Sequence, residues 1–362
     1  MNLEKERNII SYKELEALRE EAIFNEMEKS KVQRYWLTLK SQWPIFVMLI
    51  PVIVFFLLFR YRPILELVIG FKSFDANITN NTFASPWIGF HALQELMFGT
   101  KEYTVLFWRA FRNTFTISMY GLLFGFPIPI ILALLFSEIK SDGFRSITQV
   151  LTYLPKFIST VVITSLLFLM LRPGQADANI QPGVINGFLV WLGAVPNETN
   201  LLGNPAYFRS IFILSDIWEG AGYGSIVYFA AIMAISPTSY EAAKIDGANK
   251  LDQIRYVTLP GMAPTLTIML ILRIGGILSV GYEKIILMTE NEVHWVLDTA
   301  DVLSTFILRL GNVYGSSAGL SLPPDLVRAF STSADLFNSF IAMFLVLGAN
   351  FISRRVSDTS LF

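Results

Sequence analysis

The sequence predicts an all-α protein that crosses a membrane several times. Hydrophobic residues make up 53% of its 362 residues and charged residues only 16%, whereas soluble domains usually carry about 25% charged residues. The mean hydropathy of +0.50 is higher than one water-soluble core needs. The apolar runs are continuous rather than alternating, which favours membrane-spanning helices over the strands of a barrel. This composition argues against a soluble enzyme and against a disordered chain.

Charge and cysteine content exclude further classes of protein. The formal net charge of −1 leaves no basic excess for nucleic-acid phosphates, so we expect no nucleic-acid partner. The lack of cysteine excludes disulfides, thiolate metal sites and cysteine catalysis. The two histidines, His91 and His294, lie far apart and outside any catalytic or metal-binding pattern. We therefore expect neither a catalytic residue nor a metal site on this chain.

Six apolar segments are candidates for membrane-spanning helices, each of which needs about 20 mostly apolar residues. Arg60 and Arg62 end the first segment, the second is uncharged throughout, and Arg354 and Arg355 follow the sixth. The predicted spans are 43–59, 114–136, 157–171, 208–234, 262–281 and 336–352. They define a transmembrane domain over residues 43–352.

The distribution of lysine and arginine predicts the orientation of these spans, because cytoplasmic loops carry the excess of basic residues. With the N-terminus inside, the inner segments hold 16 basic residues and the outer segments hold 10. Six spans then place both termini in the cytoplasm. Residues 1–42 are predicted to be a charged cytoplasmic segment rather than a secretory signal, which would be basic and then apolar. Residues 353–362 are predicted to be a cytoplasmic tail.

The loop between the fourth and fifth spans, residues 235–261, is predicted to form two short helices. Ser236 can cap the first helix, and Pro237 fits its first turn because its missing N–H is not needed there. Gly247 supplies a left-handed stop. A second helix can follow from Asn249, and Pro260 breaks it before the fifth span. Local physics leaves two interpretations open, an exposed connector and a docking element.

The same loop carries a spaced motif that resembles the EAA signature of ABC-importer permeases. That signature is Glu-Ala-Ala, three residues, Gly, nine residues, Ile, one residue and Leu-Pro. This chain has Glu241, Ala242 and Ala243, then Gly247, and then residues 257–260, Val-Thr-Leu-Pro. Every spacing agrees, and the one departure is valine at position 257 in place of isoleucine.

Further segments resemble one branch of those permeases. Residues 215–219, Ser-Asp-Ile-Trp-Glu, resemble the maltose-type carbohydrate-uptake permeases. Residues 281–288 and the tail from 335 resemble the subgroup that imports complex oligosaccharides, to which alginate importers are similar. The resemblance covers roughly residues 44–362. It implies a bacterial cell-membrane protein that forms half of a translocation pathway for oligo- or polysaccharides.

The resemblance also implies the partners and the way in which the chain works. A second, homologous permease subunit completes the pathway, usually as a heterodimer, and a solute-binding protein delivers the carbohydrate from outside. Two separate ATPase subunits bind ATP and magnesium, which agrees with the lack of a phosphate-binding Gly-x-x-x-x-Gly-Lys loop here. The implied ATPase-coupling residues are Glu241, Ala242, Ala243, Lys244, Asp246, Gly247, Leu259 and Pro260.

Charged residues inside the predicted spans need a reason, since each costs about 3 kcal/mol at the bilayer centre. Asp216, Glu219 and Tyr223 are spaced three and four apart, so they share one helix face. Asp216 and Arg273 lie on neighbouring spans, and two interpretations stay open: a structural ion pair or a polar lining for sugar hydroxyls. If they pair, their effects on replacement should not add. The candidate pathway residues are Asp216, Trp218, Glu219, Tyr223, Arg273, Tyr282, Glu283 and Asn338.

Two other transport functions compete with this prediction. One is a permease of the same superfamily for a solute that is not a sugar. The other is a secondary transporter driven by ions, for which internal inverted repeats are the usual sign, and the sequence shows none.

Overall fold

The computed structural model describes residues 40–74, 81–175, 180–197, 199–289, 296–310 and 325–356, with isolated positions 19, 35, 36 and 38. The predicted charged segment 1–42 lies almost entirely outside these residues, as do His294 and the tail from 357. Within the described ranges the regular structure is helical, and extended backbone pairs only at two isolated bridges. The predicted all-α class is therefore confirmed.

The chain divides into two structural units, residues 1–67 and residues 68–362. The first contains helix α1, Trp43–Phe56, in which no side chain is buried. A π-helical turn, Leu57–Tyr61, and a short helix, Arg62–Glu66, continue it. The predicted first span is thus helical, and a helix that is apolar on all sides is typical of one that meets lipid or another protein.

The second unit is a bundle of helices. Its helices are α2 His91–Phe98, α3 Glu102–Leu123, α4 Pro127–Glu138, α5 Asp142–Tyr153, α6 Thr160–Leu171, α7 Val184–Trp191, α8 Pro205–Met233, α9 Pro237–Ile245, α10 Lys250–Gln253, α11 Ala263–Gly275, α12 Tyr282–Thr289, α13 Leu297–Ala300, α14 Leu303–Leu310 and α15 Val327–Val356. Short turns of 3-10 or π-helix lie at Leu67–Phe71, Thr82–Ala84, Leu154–Phe157 and Ile254–Thr258, and a single α-helical turn lies at Leu259–Gly261.

Three helical segments of the described chain have the length and hydropathy of a membrane span: Trp43–Phe71, Glu102–Glu138 and Val327–Arg355. Three further pairs of helices qualify together but are bent at a short break, so up to six segments could cross if each pair counts as one span. The bends are 98° between α5 and α6, 69° between α8 and α9, and 65° before α11. The count of six spans stays a prediction.

Several helices begin or end at other residues than the predicted spans that they contain. Helix α3 begins at Glu102, twelve residues before the predicted start at 114, because residues of its first turns are buried against other helices. Phe107 and Ala110 are fully buried there, and Asn113 bonds across the bundle. The sixth span also starts earlier, at Val327, since Ala329 and Phe330 are buried. Hydropathy misses these turns because they alternate buried apolar residues with polar ones.

The fifth predicted span is shorter than expected. Helix α11 ends at Gly275, and residues 276–281 are not helical. Three glycines in this stretch, Gly275, Gly276 and Gly281, carry a high conformational cost in a helix. The third span likewise begins at Thr160 rather than 157, where Ser159 caps α6 by accepting a hydrogen bond from the Val162 N–H at 3.5 Å.

Helix α8 is the central element of the bundle. Its N-terminal half contributes Phe208 and Phe212 to a core shared with α6, α12 and α13, whereas its C-terminal half contributes Tyr228 and Ile232 to a core shared with α4 and Met262. A third core joins α2, α3, α14 and α15. A small residue brings α5 close to α8: a Cβ on Gly222 would lie 2.0 Å from the Thr152 carbonyl oxygen.

A buried polar network fastens α13 and α14 to α3 and α8. Asp301 is fully buried and forms an ion pair with Arg309, and it accepts a hydrogen bond from the Thr305 hydroxyl at 2.7 Å. The Asn113 amide donates to the Asp301 carbonyl oxygen at 2.9 Å and accepts from Arg209 at 2.8 Å. Burial raises the pKa of the Asp301 carboxyl above its ordinary value, and the Arg309 charge opposes that shift. Sequence analysis did not identify this network.

The Asp301–Arg309 pair is expected to stabilise the fold in such a way that losing one partner costs more than losing both. Asp301→Ala leaves the largely buried Arg309 guanidinium without its anion, which should cost about 3–5 kcal/mol of unfolding free energy. Asp301→Ala with Arg309→Met should recover part of that loss. The measurement is unfolding of the detergent-solubilised protein followed by tryptophan fluorescence. Asp142→Ala, which breaks the exposed pair with Arg145, should change stability by about 0.5 kcal/mol or less. Equal losses in the single and double variants would contradict the pairing.

Candidate functional site

Helix α9 lies at the start of the predicted coupling loop, and its first turn agrees with the prediction only in part. Pro237 occupies the first turn, as predicted, and Ser236 has the extended backbone of an N-cap. The Ser236 hydroxyl makes no capping bond to the helix backbone. It instead pairs with the Thr238 hydroxyl at 2.7 Å. The expected side-chain cap is therefore wrong, because a second hydroxyl two residues on competes for the same oxygen.

The end of α9 agrees with the prediction for Gly247. Its φ is +81°, in the left-handed region that favours glycine. The N–H of Gly247 donates to the Lys244 carbonyl oxygen at 3.1 Å, and the N–H of Ala248 donates to the Ala243 carbonyl oxygen at 2.9 Å. These bonds satisfy the last carbonyls of the helix and reverse the chain direction. Gly247 is thus the turn between the two arms of the loop.

The second arm begins with a capping box. Asn249 accepts hydrogen bonds from the N–H groups of Leu251 and Asp252, and the Asp252 carboxylate accepts one from the Asn249 N–H at 3.1 Å. The predicted break at Pro260, before the fifth span, is found within two residues of it. The chain passes through the π-helical turn Ile254–Thr258 and bends by 65° after Gly261.

Contacts between the two arms hold the loop as a hairpin, which we call the coupling hairpin (residues 236–261). The Tyr240 hydroxyl lies 3.1 Å from the Thr258 hydroxyl, and the buried Gln253 amide donates to the Ala248 carbonyl oxygen at 3.1 Å. A Cβ on Gly261 would lie 2.7 Å from the Ile235 side chain. The hairpin can therefore move as one body with the helices to which it is joined.

The outer face of the coupling hairpin is exposed. No residue of α9 is buried, and Glu241, Ala242 and Lys244 are open to solvent. Ile245 is 87% exposed, and Leu251 and Tyr256 on the second arm are also exposed. Apolar side chains of this size beside charged ones are typical of a surface that meets another protein. This exposure favours the docking element over the simple connector.

A cavity of about 170 Å³ opens among α3, α8 and α11 and the residues after α11. Asp216 and Arg273 both line it and are both exposed. Arg273 lies against the break between α3 and α4, where a Cβ on Gly121 or Gly125 would be 3.7 Å from its guanidinium. Among the described residues Asp216 and Arg273 form no ion pair with each other. The geometry therefore favours a polar lining over a structural ion pair as the reason for Asp216 and Arg273.

Glu219 is paired instead, with two lysines that sequence analysis missed. Its carboxylate oxygens lie 3.0 Å from Lys156 Nζ and 3.2 Å from Lys284 Nζ. Lys156 is in the turn between α5 and α6, and Lys284 is in α12. A signal was present in the sequence, since Lys156 follows Pro155 at the edge of a span. Nothing in the sequence linked Lys156 to Glu219, because the two residues are far apart in the chain and Lys156 lies in a short 3-10 turn.

The predicted shared face of α8 is confirmed by these neighbours. Asp216 lines the cavity, Glu219 meets the two lysines, and Tyr223 packs edge-on against Phe157 with ring centroids 6.1 Å apart. Trp218 points elsewhere, into an apolar cavity of about 700 Å³ among α6, α7 and α8. The structure thus separates Trp218 from the polar cavity with which it was grouped.

The remaining candidate pathway residues do not line the polar cavity. Tyr282 and Glu283 are exposed at the start of α12, directly after the lining residue Gly281. The Asn338 side-chain oxygen is buried and has no hydrogen-bond partner among the described residues. Over the described part of the chain, no three His, Cys, Asp or Glu side chains are grouped as a metal would need.

Comparison with known proteins identifies the family. Residues 125–281 match the model described as binding-protein-dependent transport system inner membrane component. The chain is 31% identical over 338 residues to the polygalacturonan/rhamnogalacturonan transport system permease protein YteP of Bacillus subtilis, covering 92% of this chain and 95% of that protein. The chain belongs to this family of transport permeases.

Two solved structures share the fold of this permease. One is a bacterial ABC transporter involved in the import of the acidic polysaccharide alginate, with a TM-score of 0.74 and 39% identity, covering 90% of this chain and 99% of that one. The other is a bacterial alginate ABC transporter in complex with an alginate pentasaccharide-bound periplasmic protein, with a TM-score of 0.71 and 37% identity, covering 91% and 100%. The permease is accordingly a multi-pass membrane protein.

The absence of an Asp216–Arg273 ion pair leads to a prediction for this permease. Unfolding free energies of Asp216→Asn, Arg273→Gln and the double variant should add to within about 0.5 kcal/mol. The same cycle with Glu219→Gln and Lys284→Met should show a coupling of about 1 kcal/mol or more, because those groups are in direct contact and largely buried. Both cycles are measured on the solubilised protein, and a larger coupling for Asp216 with Arg273 would contradict the described geometry.

Proposed function

We propose that this permease is a subunit of an ATP-driven ABC importer for carbohydrates, of the size of oligo- or polysaccharides. The observation that carries the proposal is the coupling hairpin, a cross-bonded and exposed element joined to α8 through a 69° bend and to α11 through a 65° bend. Those two helices are also the ones that bring Asp216 and Arg273 to the polar cavity. One pair of helices thus connects a docking surface to a polar lining.

In the proposed mechanism, the hairpin docks into a cleft of a separate ATPase subunit. Glu241 makes a charged contact, and Ala242 and Ala243 let the backbone of α9 come close to the partner. Lys244 and Asp246 border this contact, and Gly247, with Leu259 and Pro260, sets the angle of the two arms. ATP and magnesium are bound by the partner, and closure of the ATPase pair moves the hairpin. Because the arms are cross-bonded, this movement reaches α8 and α11 without being absorbed in the loop.

Besides the ATPase, the proposed assembly needs two further kinds of partner. A second permease subunit, homologous and encoded separately, completes the pathway, since the cavity on this chain is open. A solute-binding protein delivers the cargo from outside, in line with the periplasmic protein seen on the alginate transporter. We place the chain in the bacterial cell membrane with both termini in the cytoplasm, which puts the hairpin on the ATP side. The excess of basic residues in the inner segments supports this orientation.

The proposed cargo rests on the relatives and on the chemistry of the cavity. YteP is named for polygalacturonan and rhamnogalacturonan, and the solved neighbours import alginate. Carboxylate and guanidinium groups are strong hydrogen-bonding partners for hydroxyls. Charged groups inside a membrane domain are generally turned toward a cavity or a pathway rather than toward lipid. Asp216 and Arg273 therefore suit the hydroxyl groups of a sugar better than an apolar solute.

The coupling role leads to a prediction for Glu241 and Gly247. Glu241→Gln combined with Gly247→Ala should lower the amount of solute taken up per ATP hydrolysed by about tenfold, because alanine at a positive φ costs roughly 1–2 kcal/mol and shifts the turn. Uptake and ATP hydrolysis are both measured in proteoliposomes with the full complex.

A matched control is available for this double variant. Gly348, like Gly247, has open space around it but an ordinary φ, and Glu102 is an exposed glutamate at the start of α3. Glu102→Gln with Gly348→Ala should leave the ratio of uptake to hydrolysis unchanged. Unaltered coupling in the Glu241/Gly247 variant would remove the hairpin from the mechanism.

The proposed cargo is tested in cells that lack this permease. Uptake of radiolabelled oligosaccharides should be lost and should return when the chain is expressed again. Unchanged uptake of every glycan tested would favour a permease for another solute. Transport that survives the loss of cellular ATP but fails when the ion gradient is collapsed would favour a secondary transporter.

A further inference from the structure

The Lys156–Glu219–Lys284 cluster carries more positive than negative charge. Two ammonium groups share one carboxylate. Asp216, one helical turn away along α8, and Arg273 of α11, which lines the same cavity as Asp216, add one charge of each sign, so the group as a whole keeps an excess of one positive charge. Glu283 is exposed and points about 100° away from Lys284 around α12. An unbalanced charge within a membrane domain is costly unless an anion or water accompanies it.

The two lysines of the cluster are not equivalent. Lys284 has a side chain only 9% exposed, bonds to Glu219 and lies over the Phe212 ring at 5.5 Å from its centroid. Its position is therefore determined on two sides. Lys156 has a side chain 46% exposed, and its hydrogen bonding within the described structure consists of the one contact with Glu219. An ammonium has three N–H donors, so Lys156 can still donate hydrogen bonds to an acceptor group on a ligand.

The surroundings of Lys156 suit a sugar ring. The next residue, Phe157, has an exposed ring that meets the exposed Tyr223 ring edge-on. Aromatic faces beside a cation offer an apolar surface to the C–H face of a sugar and a charge to its acidic group. The aromatic pair and Glu219 lie on the same face of α8 as Asp216, which lines the polar cavity.

We propose that this cluster is a carboxylate-binding subsite, in which Lys156 contacts the acidic group of a charged sugar unit of the cargo. Glu219 is a positioning residue that holds both ammonium groups, and Lys284 keeps Glu219 charged when Lys156 turns toward the cargo. The binding involves no covalent step. The assignment rests on the proposed carbohydrate function and makes it more specific, because it selects uronate-containing glycans over neutral ones.

The test compares a glycan that carries free carboxylates with the same glycan in which methyl esterification has removed their charge. The full-length permease is purified with its co-expressed partner subunits, and binding of tetragalacturonate and of its fully methyl-esterified form is measured by calorimetry without a binding protein. The wild-type complex should bind the acid tighter by about tenfold or more, the effect of one charge-assisted hydrogen bond. Lys156→Gln should abolish this preference, Lys156→Arg should retain it, and Lys156→Glu should reverse it.

The control is Lys140→Gln, an exposed lysine at the end of α4, which should keep the wild-type preference. Equal affinity of the wild-type complex for acid and ester would overturn the subsite while leaving a carbohydrate permease. A preference for the acid that persists in both Lys156→Gln and Lys156→Glu would overturn the role of Lys156. A wild-type complex that binds neither glycan would overturn the carbohydrate proposal and the subsite with it.

Discussion

The arrangement of this protein depends on one constraint, the cost of an ionised group in a membrane domain. Such a group has to be paired or has to face a cavity. The polar face of α8 meets this requirement in both ways, because Glu219 is enclosed by two lysines and Asp216 opens to a cavity. The elements that supply the partners, the corner between α5 and α6 and helix α12, are thereby fixed against α8. The polar cavity and the packing of the bundle thus have the same cause.

The coupling hairpin solves a different mechanical problem. A loop that transmits movement must be stiff inside and open outside. Its stiffness comes from the left-handed turn at Gly247, the capping box at Asn249 and the bond between Tyr240 and Thr258. Its openness is seen in α9, where no side chain is buried. The residues that match the family motif therefore divide into those that shape the hairpin and those that are free to meet a partner.

The bends next to the hairpin bring these two parts of the molecule together. Helix α8 runs from the buried network around Asn113 and Arg209, past the cavity and the lysine cluster, to the hairpin. A displacement of the hairpin would therefore act first on Asp216 and Glu219, the residues that the proposal assigns to cargo. The Asp301 network holds the far end of α8 in place, so that the helix can pivot instead of sliding as a whole.

The sequence by itself determined the helical membrane class, the family motif, the position of the turn at Gly247 and the shared face of Asp216, Glu219 and Tyr223. These features are local, since helix periodicity, apolar length and a positive φ at glycine depend on residues close together in the chain. Packing between helices determines that Glu219 pairs with Lys156 and Lys284, that Asp216 and Arg273 form no ion pair with each other, and that Trp218 faces an apolar cavity. Those outcomes depend on contacts between residues about 60 positions apart. If one of two packed helices were shifted by a single turn along the other, different charged residues would come into contact. No pattern along the chain specifies this relative position of the helices.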